Sequence, residues 1–203
     1  AAAAVPMTGG ENGEVSGASY QDYLDKIEAY TFNIMGTTVT DDITKSLFTA
    51  FVKRLREEMG IKFQLVLYDY AKADDMGVIS VNNKVLDEGW GEAGLVYWVT
   101  GACAGCPVNR SNQNRIYDGE FTVDTPYTQN ELKAAIREGK FTFHKTGTDV
   151  RVLEDINTLV TVTDTMGDVF KDNQTIRVID QIGNDIAVLF RTKYLGVVPN
   201  DAA

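Results

Sequence analysis

Two cysteines and a single histidine in 203 residues exclude several chemistries at once. Two thiols do not make a disulfide framework, so cysteine usage points to a reducing compartment. A zinc site on Cys103 and Cys106 would need two more ligands, and no other cysteine is present to supply them. A Ser–His–Asp triad would have to use His144, which is opposite in parity to Phe141 and Phe143 and reads as a strand-end or surface residue. Ser111, in a polar loop, is a weak nucleophile candidate, and no Gly-x-Ser-x-Gly elbow occurs. Neither a Gly-x-x-x-x-Gly-Lys-Ser/Thr loop nor a Gly-x-Gly-x-x-Gly turn is present to cradle phosphates. No apolar run approaches the roughly 20 residues of a membrane span, so no membrane partner is expected. Positive charge is also scarce. Nineteen Lys and Arg against 29 Asp and Glu give a net charge of −10, which argues against a nucleic-acid partner and reads as solubility. Ala1–Val5 has no basic region before it and reads as a remnant rather than a signal peptide.

What is present is an alternation of elements. Gly9-Gly10-Glu11-Asn12-Gly13 is a turn-rich entry. Ser19 can cap a helix carrying Tyr20, Tyr23, Leu24 and Ile27 on one side. Thr31–Met35 is a short strand candidate. Thr40 can cap a second helix with Asp41 and Asp42 at its positive end, an apolar face of Ile43, Leu47, Phe48, Phe51, Val52 and Leu55, and Gly60 as its stop. Lys62–Tyr68 is almost wholly apolar after its first residue, as expected of a strand covered on both faces, and Gly77–Val81 resembles it. Gly89–Cys106 can be read two ways: Leu95–Val99 has strand propensity, yet Leu95, Trp98, Val99, Ala102, Cys103 and Cys106 fit a helical face, and helix is favoured. Asn109–Gly119 is a loop and Glu120–Val123 a short strand. Thr128 with Glu131 forms a capping box opening a helix that ends at Gly139. Lys140–His144 is a strand and Lys145–Asp149 a turn. Val150–Thr163 alternates and reads as extended strand. From Gln174 the period changes, and Ile176, Ile179, Ile182, Ile186, Leu189, Phe190 and Tyr194 form one face of a long helix stopped by Gly196 and Pro199. The order argues for an α/β fold with a largely parallel sheet flanked by helices.

Few residues suggest chemistry. Cys103-Ala104-Gly105-Cys106 would be a redox pair if it opened a helix after a strand, because the helix dipole lowers thiol pKa there. The helical reading instead puts both sulfurs among apolar neighbours, where cysteine acts as a small hydrophobe, and this packing reading is preferred. Asp69, Asp74 and Asp75 follow the buried strand, a common ligand position in α/β folds, but a solvated acidic turn fits them better. Glu57 with Glu58, and Glu154 with Asp155, are adjacent carboxylates that point different ways and read as solvated edges rather than acid–base pairs. No catalytic, cofactor-binding or metal residue is assigned.

Several stretches in order resemble the contractile tail sheath proteins of bacteriophages and phage-tail-like particles, particularly of Gram-positive hosts. They are Ser19–Met35 with its glycine-rich entry, Phe51–Asn83, Tyr97–Gly119, Val150–Thr161 and Ile176–Asn200. The resemblance implies a subtilisin-like core without protease activity at residues 1–147, and the start of an α+β C-terminal sheath domain at residues 148–203. It implies small residues where the two cysteines stand, again favouring packing. Family members run longer, so the chain is expected to hold the core and the opening of that second domain. The implied function is structural and non-enzymatic, with no cofactor. Subunits stack as rings around a tail tube and contract by rigid-body rearrangement. The implied partners are neighbouring sheath subunits, the tail tube protein, and baseplate and tail terminator proteins. The implied place is the virion tail sheath, assembled in the host bacterial cytoplasm. Two other readings are a thiol–disulfide oxidoreductase using Cys103 and Cys106, and an interaction domain of another particle component such as a baseplate protein.

Overall fold

The computed structural model describes residue 13 and residues 15–197. The Gly9–Asn12 part of the turn-rich entry, the Ala1–Val5 stretch and the expected stop at Pro199 lie outside the described residues. The chain forms two compact units, divided between Tyr30 and Thr31.

The first unit carries α1, Gly17–Ile27. Its N-cap is Ser16, one turn before the expected Ser19. Ser19 sits at the third helical position, and its hydroxyl accepts the Ser16 backbone N–H at 3.3 Å. The dyad of serines lengthens the helix backwards because both ends of a capping box are available.

The second unit is built on a four-stranded sheet in the order β1-β2-β3-β4, with every pairing parallel. The strands are β1 (Ile34–Gly36), β2 (Gln64–Tyr68), β3 (Val78–Val81) and β4 (Lys140–Phe141). β1 is shorter and later than the expected Thr31–Met35, because only Ile34–Gly36 lies opposite β2. The expected burial on both faces holds for β2 and β3. Val66, Ile79 and Val81 enter a cluster with Leu95, Val96, Val99 and Phe141. By the two-residue alternation of strands, Leu65, Leu67 and Val78 face the other side, and all three are fully buried.

Two main helices pack on the sheet. α2, Asp42–Glu57, is capped by Asp41 rather than Thr40: Asp41 Oδ1 accepts the Thr44 backbone N–H at 2.7 Å. Phe48, Phe51, Val52 and Leu55 are buried as the spacing predicts, but Ile43 is 86% exposed because it lies in the first turn, beyond the sheet. Gly60 follows in a left-handed conformation at φ +70°. α3, Leu95–Ala104, confirms the helical reading of that segment and packs on β1, β2 and β3. Gly36 permits this approach, since a Cβ there would overlap the Thr100 side chain. Between β2 and β3 the chain returns through one short 3-10 turn, Ala71–Ala73, where a parallel crossover usually takes a dozen residues or more. Left-handed Asp69 and Asp74, at φ +43° and +45°, make that return possible.

α4, Gln129–Arg137, starts at the expected capping box. Thr128 N–H donates to Glu131 Oε2 at 2.7 Å, and Glu131 N–H donates to the Thr128 hydroxyl at 3.3 Å. Two expected strands are cut short. Glu120–Val123 gives only a bridge between Val85 and Val123. Lys140–His144 divides between β4 and β5 (Phe143–Thr146), which pairs antiparallel with β6 (Asp149–Val152). Asn83 makes the division. β3 ends at Val81, and the buried Asn83 amide takes the place of a strand: its Oδ1 accepts the Phe143 N–H at 2.6 Å, and its Nδ2 donates to the Phe143 carbonyl at 2.9 Å. The chain therefore leaves the sheet at Thr142. The long extended run from Val150 also stops, at Val152, after which Asp155, Asn157 and Thr158 turn their side chains inward. α5 then runs Asn173–Leu189, ending in a π turn, Phe190–Tyr194, and a left-handed Gly196 at φ +73°.

Candidate functional site

The long helix does not dock by the face its hydrophobic period suggests. Of Ile176, Ile179, Ile182, Ile186, Leu189, Phe190 and Tyr194, only Ile176 is buried. Ile182, Ile186, Phe190 and Tyr194 are 51–61% exposed. The buried stripe is instead Asn173, Ile176 and Asp180, with Arg177 beside it. These positions recur at threes and fours, so they share a helix face of their own. α5 is thus held to the sheet by polar chemistry and turns an apolar ridge outward.

Two ion pairs make this joint. Asp180 accepts both ends of the Arg56 guanidinium, at 2.6 and 2.9 Å, and Arg56 also donates to the Phe63 carbonyl at 2.6 Å. The pair is bidentate and largely shielded from water. The second centres on Asp155, which is only 2% exposed. Its Oδ2 accepts from the Asn112 backbone N–H at 2.8 Å, from Arg177 Nη2 at 2.8 Å and from the Ser111 hydroxyl at 3.2 Å. Its Oδ1 accepts from Asn173 Nδ2 at 3.0 Å. Asn173 Oδ1 in turn accepts from Gln64 Nε2, at 3.0 Å, at the start of β2. One carboxylate thus ties the 109–115 loop, the strand-to-helix linker, α5 and, through Asn173, the sheet. Burial lowers the dielectric, so each of these charge-assisted bonds is stronger than in water and each is costly to leave unmade.

A cavity of about 180 Å³ lies beside the joint, lined among others by Lys62, Gln64, Cys103, Cys106, Arg177 and Asp180. The cysteines stand at the C-terminal end of α3, Cys103 in its last turn and Cys106 just beyond Gly105. That placement contradicts the redox reading, which needs the N-terminal end of a helix dipole. Cys103 is buried, and its Sγ accepts from Asn112 Nδ2 at 3.6 Å. Cys106 Sγ donates to the Arg110 carbonyl at 3.4 Å. Burial, followed by the Asp155 carboxylate, pushes the Cys103 thiol well above its ordinary range, and burial raises Cys106 as well. Both cysteines are free thiols rather than a disulfide. Alkylation by iodoacetamide at pH 7.5 is expected to run at least about tenfold more slowly in the native protein than in urea, because the thiolate is the reacting form. Native labelling as fast as the unfolded rate would contradict the packing role.

The other residues considered for chemistry are used structurally or lie apart. Ser111 and His144 do not meet: Ser111 donates to Asp155, whereas His144 sits on β5 with Thr146 Oγ1 3.5 Å from its Nδ1. Asp69 is exposed, but Asp74 and Asp75 are not a solvated turn. Asp74 accepts the N–H groups of Val160 and Thr161, at 2.7 and 3.0 Å, and the Thr161 hydroxyl. Asp75 accepts the Gly77 N–H at 2.7 Å. Glu57 and Glu58 are both exposed. Glu154 and Asp155 part company: Glu154 is half-buried, with its pKa raised by burial, while Asp155 is the centre of the joint rather than a solvated edge. Sequence reasoning missed Arg56, Gln64, Asn83, Asn112, Asn173, Arg177 and Asp180. The available signal was the 173, 177, 180, 184 spacing of polar residues, itself a helix face.

Comparison with known proteins agrees with this architecture. Residues 13–158 match the phage tail sheath protein central domain. The solved structure of a sheath tail protein from Desulfitobacterium hafniense superposes with a TM-score of 0.87 at 41% identity, covering 97% of this chain and 47% of that one. The Phage-like element PBSX protein XkdK of Bacillus subtilis is 33% identical over 192 residues, 92% of this chain and 41% of the relative. The helical sheath of the anti-feeding prophage in its contracted state shares the fold alone, with a TM-score of 0.66 at 12% identity over 91% of this chain and 53% of that one. The chain spans about two-fifths to one half of the length of the curated relatives it matches. With most of its residues matched by the central-domain family, the chain belongs to the phage tail sheath proteins.

Proposed function

We infer that this chain is a structural, non-enzymatic piece of a contractile sheath, stacked as rings around a tail tube and moving as a rigid block when the sheath contracts. The observation that carries this reading is the interior. Buried ion pairs lock α5 to α2 and to the linker at Asp155, and α3 is packed on the sheet through an apolar cluster. The all-parallel sheet with helices packed on it supports the subtilisin-like core that the resemblance implies, here as a scaffold. A sheath stores its energy in a metastable lattice, so contraction requires subunits that keep their shape while interfaces repack. Its contacts would be neighbouring subunits, the tube, the baseplate and the terminator, within the virion tail assembled in the bacterial cytoplasm.

The same reading makes residues 148–203 the opening of a second sheath domain. Its support is the ridge of Ile182, Ile186, Leu189 and Phe190, four apolar side chains on one helix that are each more than half exposed. Further sheath polypeptide, of the kind that makes up the unmatched part of the relatives, is the proposed cover. Ile182→Glu with Ile186→Glu is expected to raise the solubility of the isolated chain and to shift its stability by no more than about 0.5 kcal/mol, since both side chains already face water. A large loss of thermal stability would show that the ridge is packed within this chain.

Electron microscopy tests the assignment. The chain, and the longest polypeptide that carries it, are expressed alone and with a candidate tube protein. Hollow cylinders or sleeves on tubes are expected from the longer polypeptide. Dispersed monomers under both conditions would overturn the sheath role.

A further inference from the structure

The loop from Arg110 to Arg115 forms one wall of a pocket of about 530 Å³, completed by Gly105, Cys106 and Pro107. Two features set it apart. First, no carboxylate belongs to its lining, although acidic residues outnumber basic ones by 29 to 19 in the whole chain. Second, the loop is fixed before anything binds. The Asn112 N–H and the Ser111 hydroxyl are held by Asp155. Gln113 N–H donates to Ser111 Oγ at 3.1 Å, and Asn114, at φ +59°, donates its N–H to the Val152 carbonyl at 2.9 Å. Val152 N–H returns a bond to the Arg115 carbonyl, also at 2.9 Å.

The two arginines are presented differently. The Arg115 guanidinium stacks over Trp98, 5.3 Å from the ring centre, and spends Nη1 on the Asn112 Oδ1 and Ala102 carbonyl oxygens. Its plane is therefore set. The Arg110 side chain is exposed, and no carboxylate pairs with it among the described residues. Nearby acids are already engaged: Asp155 lies beneath the loop, Asp118 accepts from Trp98 Nε1 at 2.7 Å, and Glu154 is held by Gln113.

We propose that this pocket receives a carboxylate side chain from a second copy of the sheath chain. The proposal rests on the sheath reading above and names one of its contacts. Arginine suits a carboxylate because its planar fork donates two parallel bonds. A preformed loop lowers the ordering cost of such a contact. A copy of the same chain is the natural source, because the chain as a whole carries a net charge of −10. Basic pocket against acidic surface gives two copies both attraction and a preferred register.

The test is assembly of the longest polypeptide that carries this chain, followed by electron microscopy and sedimentation, for wild type, Arg110→Glu and Arg115→Glu. Arg110→Glu is expected to raise the concentration needed for cylinders by about tenfold or more, with the thermal midpoint unchanged. Wild-type assembly should weaken as salt rises, and less steeply in Arg110→Glu. Arg115→Glu can also disturb the Trp98 stack, so Arg110→Glu decides. If wild type assembles and Arg110→Glu assembles equally well, the pocket contact is wrong and the sheath role stands. If Arg110→Glu forms normal cylinders alone but no longer sheathes tubes, the partner is the tube, and the second-copy proposal is overturned. If wild type never assembles, both readings fail.

Discussion

Replacing Asp155 by alanine is expected to cost about 3–5 kcal/mol of folding stability, the range for removing one partner of a buried ion pair. The size follows from what is left behind. The Asn112 N–H, the Ser111 hydroxyl, the Asn173 amide and Arg177 Nη2 all lose an acceptor. Arg177 already has Nε and Nη1 buried without a hydrogen-bond partner, so it would be a buried cation held only by the Nη2 bond to the Arg110 carbonyl at 3.0 Å. For a chain of this length the change corresponds to a fall of roughly 10 °C in the thermal midpoint. Asp155→Asn is expected to lose most of the same stability, because its NH2 would face other donors. Glu154→Gln is the control. Burial already disfavours the charged form of Glu154, so the neutral side chain should change stability by no more than about 0.5 kcal/mol. Thermal or urea unfolding of the three variants measures this. Equal stabilities for Asp155→Ala and Glu154→Gln would show that the Asp155 cluster does not hold the fold.

Asp180→Ala and Arg56→Met should each cost a similar amount, about 3–5 kcal/mol, but by a different route. Arg56 comes from α2 and Asp180 from α5, 124 residues apart in sequence, so their bond closes α5 onto α2 and, through the Phe63 carbonyl, onto the entry to β2. Alanine at 180 leaves the guanidinium with only the Phe63 carbonyl, and methionine at 56 leaves a buried carboxylate alone. The double replacement Arg56→Met with Asp180→Leu should recover much of the loss, because two apolar side chains leave no orphaned charge. The coupling read from the double-mutant cycle should exceed about 1 kcal/mol. Amide hydrogen exchange should show α5 opening before the sheet in the single variants, since its outer face gains nothing from burial. Additive losses, with the double variant least stable of all, would contradict the pairing.

The parts of the fold that the sequence reveals are those governed by local rules. The near-continuous apolar runs of β2 and β3, the capping box at Thr128 and Glu131, and the glycine stops at 60, 139 and 196 each follow from one segment's own chemistry. The parts it hides depend on partners far away. Nothing within Lys140–His144 says that Asn83, 60 residues earlier, will end the strand at Thr142. Nothing within Glu154-Asp155 separates a half-buried acid from the hub of the joint, because the donors come from residues 111, 112, 173 and 177. The last helix is the sharpest case. Its hydrophobic period is correct as a period and misleading as a docking face, since the side turned to the sheet is the polar one. An apolar stripe identifies what a helix will cover, and does not say whether the cover is part of the same compact unit. The candidate site was legible in the same uneven way: the packing role of Cys103 could be read from its apolar neighbours, whereas the joint beside it could not.

The most direct measurement of the central claim is a helical reconstruction of the assembled sheath in its extended and contracted states. Residues 31–197 should superpose between the two within about 1 Å, as expected of partners that keep their backbone on repacking. The Arg56–Asp180 and Asp155–Arg177 pairs should be intact in both, with contacts between subunits changed. Failure to form any sheath, or a contraction in which α5 leaves the sheet and these pairs break, would contradict a rigid sheath subunit.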